Sequence, residues 1–141
     1  MKKPRVYVDS DVIISSIISQ SGAASFIFNL KTINLFASNY SKKETKAVAE
    51  RLGLKETKVN DLFEKKLEIV SLGDSLEKIK EKFADYITDK NDAHIVAGAV
   101  KAKSGFLISY NLRHYKTDRI KTNFGIVILT PALFLQYLRS L

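Results

Sequence analysis

The stretch Val6-Tyr7-Val8-Asp9-Ser10-Asp11-Val12-Ile13-Ile14-Ser15 decides how the chain is read. Val6, Tyr7 and Val8 are β-branched or aromatic and predict a short strand, and that strand runs into two carboxylates, Asp9 and Asp11. A charge beside a hydrophobic core costs several kcal/mol unless it is paired, solvated or bound to a metal. The two acids therefore mark either a solvated strand end or a site.

Outward from this stretch, apolar runs predict further strands over residues 33–38, 67–72, 106–109 and 125–130. Apolar residues at helical spacing predict helices over 23–30, 41–52 (stopped by Gly53), 55–66, 76–86, 89–103 and 131–138, the last opened by Pro131. Strands alternating with helices predict an α/β fold: three layers, α/β/α, around a mainly parallel central sheet of about five strands. No linker or repeat interrupts the alternation, so residues 1–141 are read as a single domain. In such sheets ligands bind beyond the carboxyl ends of the strands, which is where Asp9 and Ser109 fall.

Composition narrows the chemistry. Hydrophobic residues make up 45 % and charged residues 27 % of the 141, an ordinary globular balance. No apolar run reaches the ~18–20 residues needed to cross a bilayer, and Asp9 and Asp11 interrupt the apolar stretch behind the basic N-terminus. A cytoplasmic protein with no membrane association is expected. The absence of cysteine excludes disulfides and thiolate metal sites, and two histidines are too few for a typical zinc centre. Any metal would be held mainly by oxygen, which favours Mg²⁺ or Mn²⁺. The net charge of +8 suits a polyanionic partner such as nucleic acid, or simply a soluble lysine-rich surface. Within residues 101–121, Lys101, Lys103, Arg113, Lys116, Arg119 and Lys121 face only Asp118.

Two chemistries fit a strand ending in Asp-Ser-Asp. In aspartyl-phosphate phosphatases the first Asp attacks phosphorus and the second is a general acid. That mechanism also needs a strand-end Ser or Thr, then a Lys, then a late acidic pair. Here Asp89 and Asp92 precede Ser109, and only Asp118 comes after it, so the order is wrong. A Mg²⁺- or Mn²⁺-dependent nuclease instead gathers carboxylates dispersed in sequence, which hold the metal that activates water and shields phosphorane charge. Asp9 after the first strand, Glu44 in the helix after the second and Asp92 before the fourth can meet over one sheet edge.

At this point the sequence resembles the PIN domain family, which includes toxin–antitoxin ribonucleases of the VapC type. Val6-Tyr7-Val8-Asp9-Ser10-Asp11-Val12 resembles the opening strand, acid and hydroxyl residue, and Gly22-Ala23-Ala24 the small-residue start of the first helix. Ser41-Lys42-Lys43-Glu44 sits where the family carries its second acid, and Asp92-Ala93-His94-Ile95-Val96-Ala97 resembles the third-acid helix. Phe106-Leu107-Ile108-Ser109-Tyr110-Asn111 with His114-Tyr115 resembles the fourth-position strand and turn, and Ile128-Leu129-Thr130-Pro131 the closing strand and helix start. The resemblance implies hydrolysis of RNA phosphodiesters, with Asp9, Glu44 and Asp92 as metal ligands and Asn111 as a further catalytic residue. It also implies a homodimer and a small antitoxin partner. Asn111 departs from the Asp often found there, which implies a weaker hold on a second metal, with Asp89 available to compensate in part. A PIN-like domain that binds RNA without cutting it is the alternative, and the phosphatase a more distant one.

Individual residues carry competing readings. Asp11 is expected to hold the loop by hydrogen bonds, and Ser10 and Ser109 to support carboxylates. Glu44 also completes a capping box, Ser41-x-x-Glu44, that would turn its side chain to the Ser41 backbone. Asp89 is the better capping residue for the third-acid helix, which frees Asp92. His94 is expected to pack beside its helix, and His114 to meet phosphate or lie on the surface. Lys42, Lys43, Arg113 and Lys116 flank the site as candidate phosphate contacts. Tyr7, Tyr110 and Tyr115 either stack on bases or belong to the core.

Overall fold

A computed structural model describes residues 2–141. The strands are β1 (Arg5–Val8), β2 (Asn34–Ser38), β3 (Glu68–Val70), β4 (Phe106–Ile108) and β5 (Val127–Leu129). They form one sheet in the order β3-β2-β1-β4-β5, and every pairing is parallel. The helices are α1 (Ser10–Ile18), α2 (Ala23–Phe28), α3 (Asn39–Arg51), α4 (Glu56–Lys65), α5 (Leu76–Phe83), α6 (Ala93–Lys101), α7 (Thr117–Phe124) and α8 (Pro131–Arg139). This is the expected three-layer α/β/α architecture, with β1 at its centre.

Alternation along β1 builds the two cores. Successive strand side chains point to opposite faces. Val6 and Val8 join α1, α2, Phe63 of α4 and Phe134 of α8 on one face. Tyr7 joins α6, Ile79 of α5 and Ile120 of α7 on the other. Helix α6 lies so close to β1 that a Cβ on Gly98 would stand 2.6 Å from Tyr7 Cζ, so only glycine fits there. The Tyr7 hydroxyl shares a 3.2 Å hydrogen bond with Ser41 Oγ, and burial pushes its pKa up to about 12.

Two helices go beyond the sequence reading. The β-branched run Val12-Ile13-Ile14, assigned no element from sequence, is helical in α1: Asp9 caps the first turn and the helix buries Val12, Ile13 and Ile17. Burial of the helix face overrides the weak β preference. Helix α7 fills the basic stretch after β4 and ends at Gly125, whose φ of 68° is left-handed. Gly125 is thus a helix terminator and does not begin β5. Helix α3 starts earlier than predicted, because Ser38 is the cap and accepts from the Ser41 N–H at 3.1 Å. The capping box at Ser41 does not form. Helix α6 is likewise shorter than predicted, residues 90–92 making a separate 3-10 turn. Among the described residues, no helix is long and apolar enough to cross a membrane.

Candidate active site

β1 stops at Val8 because the next residue turns the chain into α1. The Asp9 N–H still pairs with the Ile108 carbonyl at 3.0 Å, while its side chain caps the helix. The carboxylate is 7 % exposed and held on both oxygens. Oδ1 accepts from the Ser10 N–H at 2.7 Å. Oδ2 accepts from the Ser109 hydroxyl at 2.9 Å and the Tyr115 hydroxyl at 2.8 Å. Dense donation of this kind is what a buried carboxylate needs.

Asp11, in the first turn of α1, reaches the chain leaving β4. Its Oδ2 accepts from the Tyr110 N–H at 3.1 Å and from Asn111 Nδ2 at 3.2 Å, while Oδ1 is buried without a hydrogen bond. Asp11 therefore pins the segment after β4, and the Asn111 amide is turned onto it. Burial, then the nearby Asp9 charge, push the Asp11 carboxyl up to about 7.

Glu44 arrives from the second turn of α3, because α3 begins at Asn39. One carboxylate oxygen takes the Ser10 hydroxyl and the other faces His94 Nε2 at 3.1 Å. Burial pushes the Glu44 carboxyl up, but the hydrogen bonds from His94 and Ser10 and the His94 charge outweigh it and leave the pKa lowered. His94 is buried beside its helix, with Nδ1 left without a hydrogen bond.

Asp92 sits at the start of α6 and makes no capping bond; Asp89 caps not α6 but the 3-10 turn before it, accepting from the Asn91 N–H at 3.0 Å. Asp92 Oδ2 lies 3.0 Å from His114 Nδ1, an ion pair whenever that imidazole is protonated, and makes no hydrogen bond. The half-buried carboxyl is raised to about 6 by burial and by the Asp9 charge, against an opposing pull from His114, with Asp89 and Glu44 adding to the rise. Asp9, Glu44, Asp89 and Asp92 thus share one electrostatic field.

The proposed phosphate contacts divide. Arg113 and Lys116 are exposed on the turn that also carries His114 and Tyr115, and Lys43 is exposed on α3 next to Glu44. Lys42 leans instead toward Phe63 of α4, its Nζ 5.9 Å from the ring centre. Tyr7 and Tyr115 are buried, so neither stacks on a base; Tyr110 is exposed and its hydroxyl meets Ser15 Oγ at 3.0 Å.

Two side chains in this network, His94 and Tyr115, do not stand out as site residues in the sequence. The available signal is chemical. A buried imidazole or phenol needs a polar partner, and each stands within two residues of a candidate site residue, Asp92 or Arg113 and Lys116. Among the described residues no three His, Asp or Glu side chains are drawn tightly enough together to form a ready-made cation cage. The donor set nonetheless fits a hard cation. It is rich in carboxylate oxygen, and Asp11 Oδ1 and Asp92 Oδ2 are buried without hydrogen bonds.

Comparison with known proteins gives a family model described as PIN domain, matching residues 5–113. No curated protein matches the sequence. In fold the chain is similar to VapBC2 from Rickettsia felis, solved bound to a DNA fragment from their promoter, with 16 % identity and a TM-score of 0.64 over 89 % of this chain and 98 % of that one. It is also similar to FitAB bound to an IR36 DNA fragment, with 13 % identity and a TM-score of 0.57 over 89 % and 94 % of the two chains.

Proposed function

The chain belongs to the PIN domain family, and from that premise we propose that it is an endoribonuclease dependent on Mg²⁺ or Mn²⁺, hydrolysing RNA phosphodiester bonds as the toxin of a toxin–antitoxin pair. The observation that carries the reading is the gathering of Asp9 after β1, Glu44 of α3 and Asp92 before α6, with Ser10 bridging Asp9 and Glu44 and Asp92 Oδ2 buried without a hydrogen bond. Acids pressing one another's charge are costly unless something positive joins them.

Asp9, Glu44 and Asp92 would hold the cation, and Asn111 would place it or its water. When bound, the cation supplies Lewis acidity, neutralising phosphate charge and making water acidic enough to attack near neutral pH. The chain's own part is to orient and attract. Ser10, Ser109 and Tyr115 fix Asp9, Ser10 and His94 fix Glu44, and Asp11 holds the segment bearing Asn111. Lys42, Lys43, Arg113 and Lys116 draw the RNA backbone to the acidic edge, with Lys42 the weakest of them in its observed orientation.

Likeness to VapBC2 and FitAB supports a partnered protein, by fold analogy only. We assign the chain a small antitoxin that covers the acidic edge, a homodimeric state and action in the cytoplasm as one domain. A second reading, RNA binding without cleavage, is favoured by one feature: Asn111 brings no charge and points its amide at Asp11.

The test is cleavage of a labelled structured RNA in Mn²⁺, beside an EDTA control and Asp92→Asn. Loss of cutting in both controls supports the nuclease. RNA binding that survives EDTA, with no cutting in Mn²⁺, supports the second reading. Cutting that persists in Asp92→Asn removes the site from the account.

A further inference from the structure

Asp9 accepts hydrogen bonds unevenly on its two oxygens. An ionised carboxylate offers about four lone-pair positions, two on each oxygen. On Oδ2 both are used, by the Ser109 hydroxyl at 2.9 Å and the Tyr115 hydroxyl at 2.8 Å. On Oδ1 only the Ser10 N–H is close, at 2.7 Å. The Ser10 hydroxyl lies 3.4 Å from Oδ1, but its single proton goes to Glu44, the much nearer acceptor. One lone pair of Oδ1 is therefore left over, and through Ser10 that oxygen lies toward Glu44.

Tyr115 is built in firmly enough to impose this arrangement. It is 4 % exposed, and its main chain pairs with Ile87 across an isolated antiparallel bridge. On either side, the Thr88 N–H donates to the His114 carbonyl and the Lys116 N–H to the Tyr86 carbonyl, both at 2.9 Å. The phenol is thus held between Asp9 and the segment that leads into Asp92.

We propose that Tyr115 is a positioning residue that sets cation specificity: by filling Oδ2 together with Ser109, it obliges Asp9 to bind through Oδ1 alone. The inference rests on the metal-dependent reading above. Small octahedral cations such as Mg²⁺ and Mn²⁺ suit carboxylates that bind through one oxygen, whereas Ca²⁺ accepts larger, irregular shells in which a carboxylate gives both. A tyrosine hydroxyl on the second oxygen thereby selects against Ca²⁺. Removing it opens Oδ2 and lets Asp9 grip a larger ion with both oxygens. Partners that orient a ligand in this way typically change metal affinity by about 10–100-fold.

The experiment is calorimetric titration of the full chain with Mn²⁺ and with Ca²⁺, comparing wild type, Tyr115→Phe and Ser109→Ala, with no RNA present. Tyr115→Phe keeps the ring and loses only the hydroxyl. The expected result is a fall of roughly 10-fold in the ratio of Mn²⁺ to Ca²⁺ affinity, carried mostly by stronger Ca²⁺ binding. A loss of packing alone would lower both affinities together and leave the ratio unchanged, and that outcome overturns the proposal. If Tyr115→Phe does not fold, Ser109→Ala strips the other donor from the same oxygen and is read in the same way. Wild type that binds neither ion would bring down the metal-dependent reading along with this one. Wild type that binds Mn²⁺ beside a Tyr115→Phe ratio equal to its own would bring down this one alone.

Discussion

Asp9 and Asp92 are the same residue type on the same sheet edge, and the fold treats them in opposite ways. Asp9 is buried and clasped on both oxygens, with close donors from Ser10, Ser109 and Tyr115. Asp92 is half-buried, its Oδ2 makes no hydrogen bond, and its carboxyl is raised to about 6 by burial and by Asp9. The difference lies in the element that carries each residue. Asp9 extends the central strand and caps α1, so the Ser10 N–H and the hydroxyls of Ser109 and Tyr115 all reach it. Asp92 ends a short 3-10 turn, where little besides His114 approaches it. One half of the edge is organised by the protein alone, and the other half is left with charge to be satisfied from outside.

The sharpest way to break this comparison is to remove each acid in turn. Asp9→Ala leaves the Ser10 N–H and the Ser109 and Tyr115 hydroxyls without their acceptor, and each buried unsatisfied group costs about 1–3 kcal/mol. Relief of charge on Asp11 and Asp92 offsets part of that, so urea unfolding should show a loss of about 2–4 kcal/mol. Asp92→Asn should cost nothing in the metal-free protein or stabilise it slightly, since it deletes a charge that its neighbours oppose. Equal destabilisation by the two changes would mean that the clasp around Asp9 is not what distinguishes them.

pH sharpens the comparison with a smaller effect. Asp11, at about 7, and Asp92, at about 6, both hold protons more tightly folded than unfolded. The stability they contribute is present below the unfolded carboxyl range and is lost as pH rises through these folded values. The metal-free protein should therefore melt higher at pH 5.5 than at pH 7.5, by roughly 3 °C once solvent screening of the half-exposed Asp92 is allowed for. Glu44 runs the other way, its pKa being lowered, but its contribution is lost only at more acid pH, outside this window. A Tm that is flat or falls on acidification would contradict the charge crowding.

The smallest expected effect concerns the basic rim. Each lysine or arginine that neutralises an RNA phosphate should lower the slope of log affinity against log salt by about 0.7 when changed to Ala. Lys43→Ala, Arg113→Ala and Lys116→Ala should each show it in filter binding, and Lys42→Ala less, because Lys42 leans toward Phe63. Unchanged slopes in all of these variants would put the RNA path elsewhere.

Much of this architecture is legible in the sequence because it obeys short-range rules. Val6-Tyr7-Val8 reads as a strand, and the parallel alternation places its carboxyl end at a crevice. The acids are legible as a group because each follows a strand or opens a helix at that same edge. What the sequence hides depends on tertiary packing. Helix α1 is written in β-branched residues and is helical because α2 and α3 cover it. The cap of α3 is Ser38 and not Ser41, which frees Glu44 from capping and gives it to Ser10 and His94. Tyr115 lies 106 residues from Asp9 in sequence, and only the pairing of its turn with Ile87 brings the two together.

The most direct test of the divided edge is the melting temperature of the protein at pH 7.5 with and without saturating Mg²⁺, in wild type and in Asp92→Asn. A cation that binds only the folded chain stabilises it by about 2.7 kcal/mol at one hundred times its Kd. The account predicts a clear rise in Tm for wild type and little or none for Asp92→Asn. No rise in wild type, or the same rise in both, would contradict it.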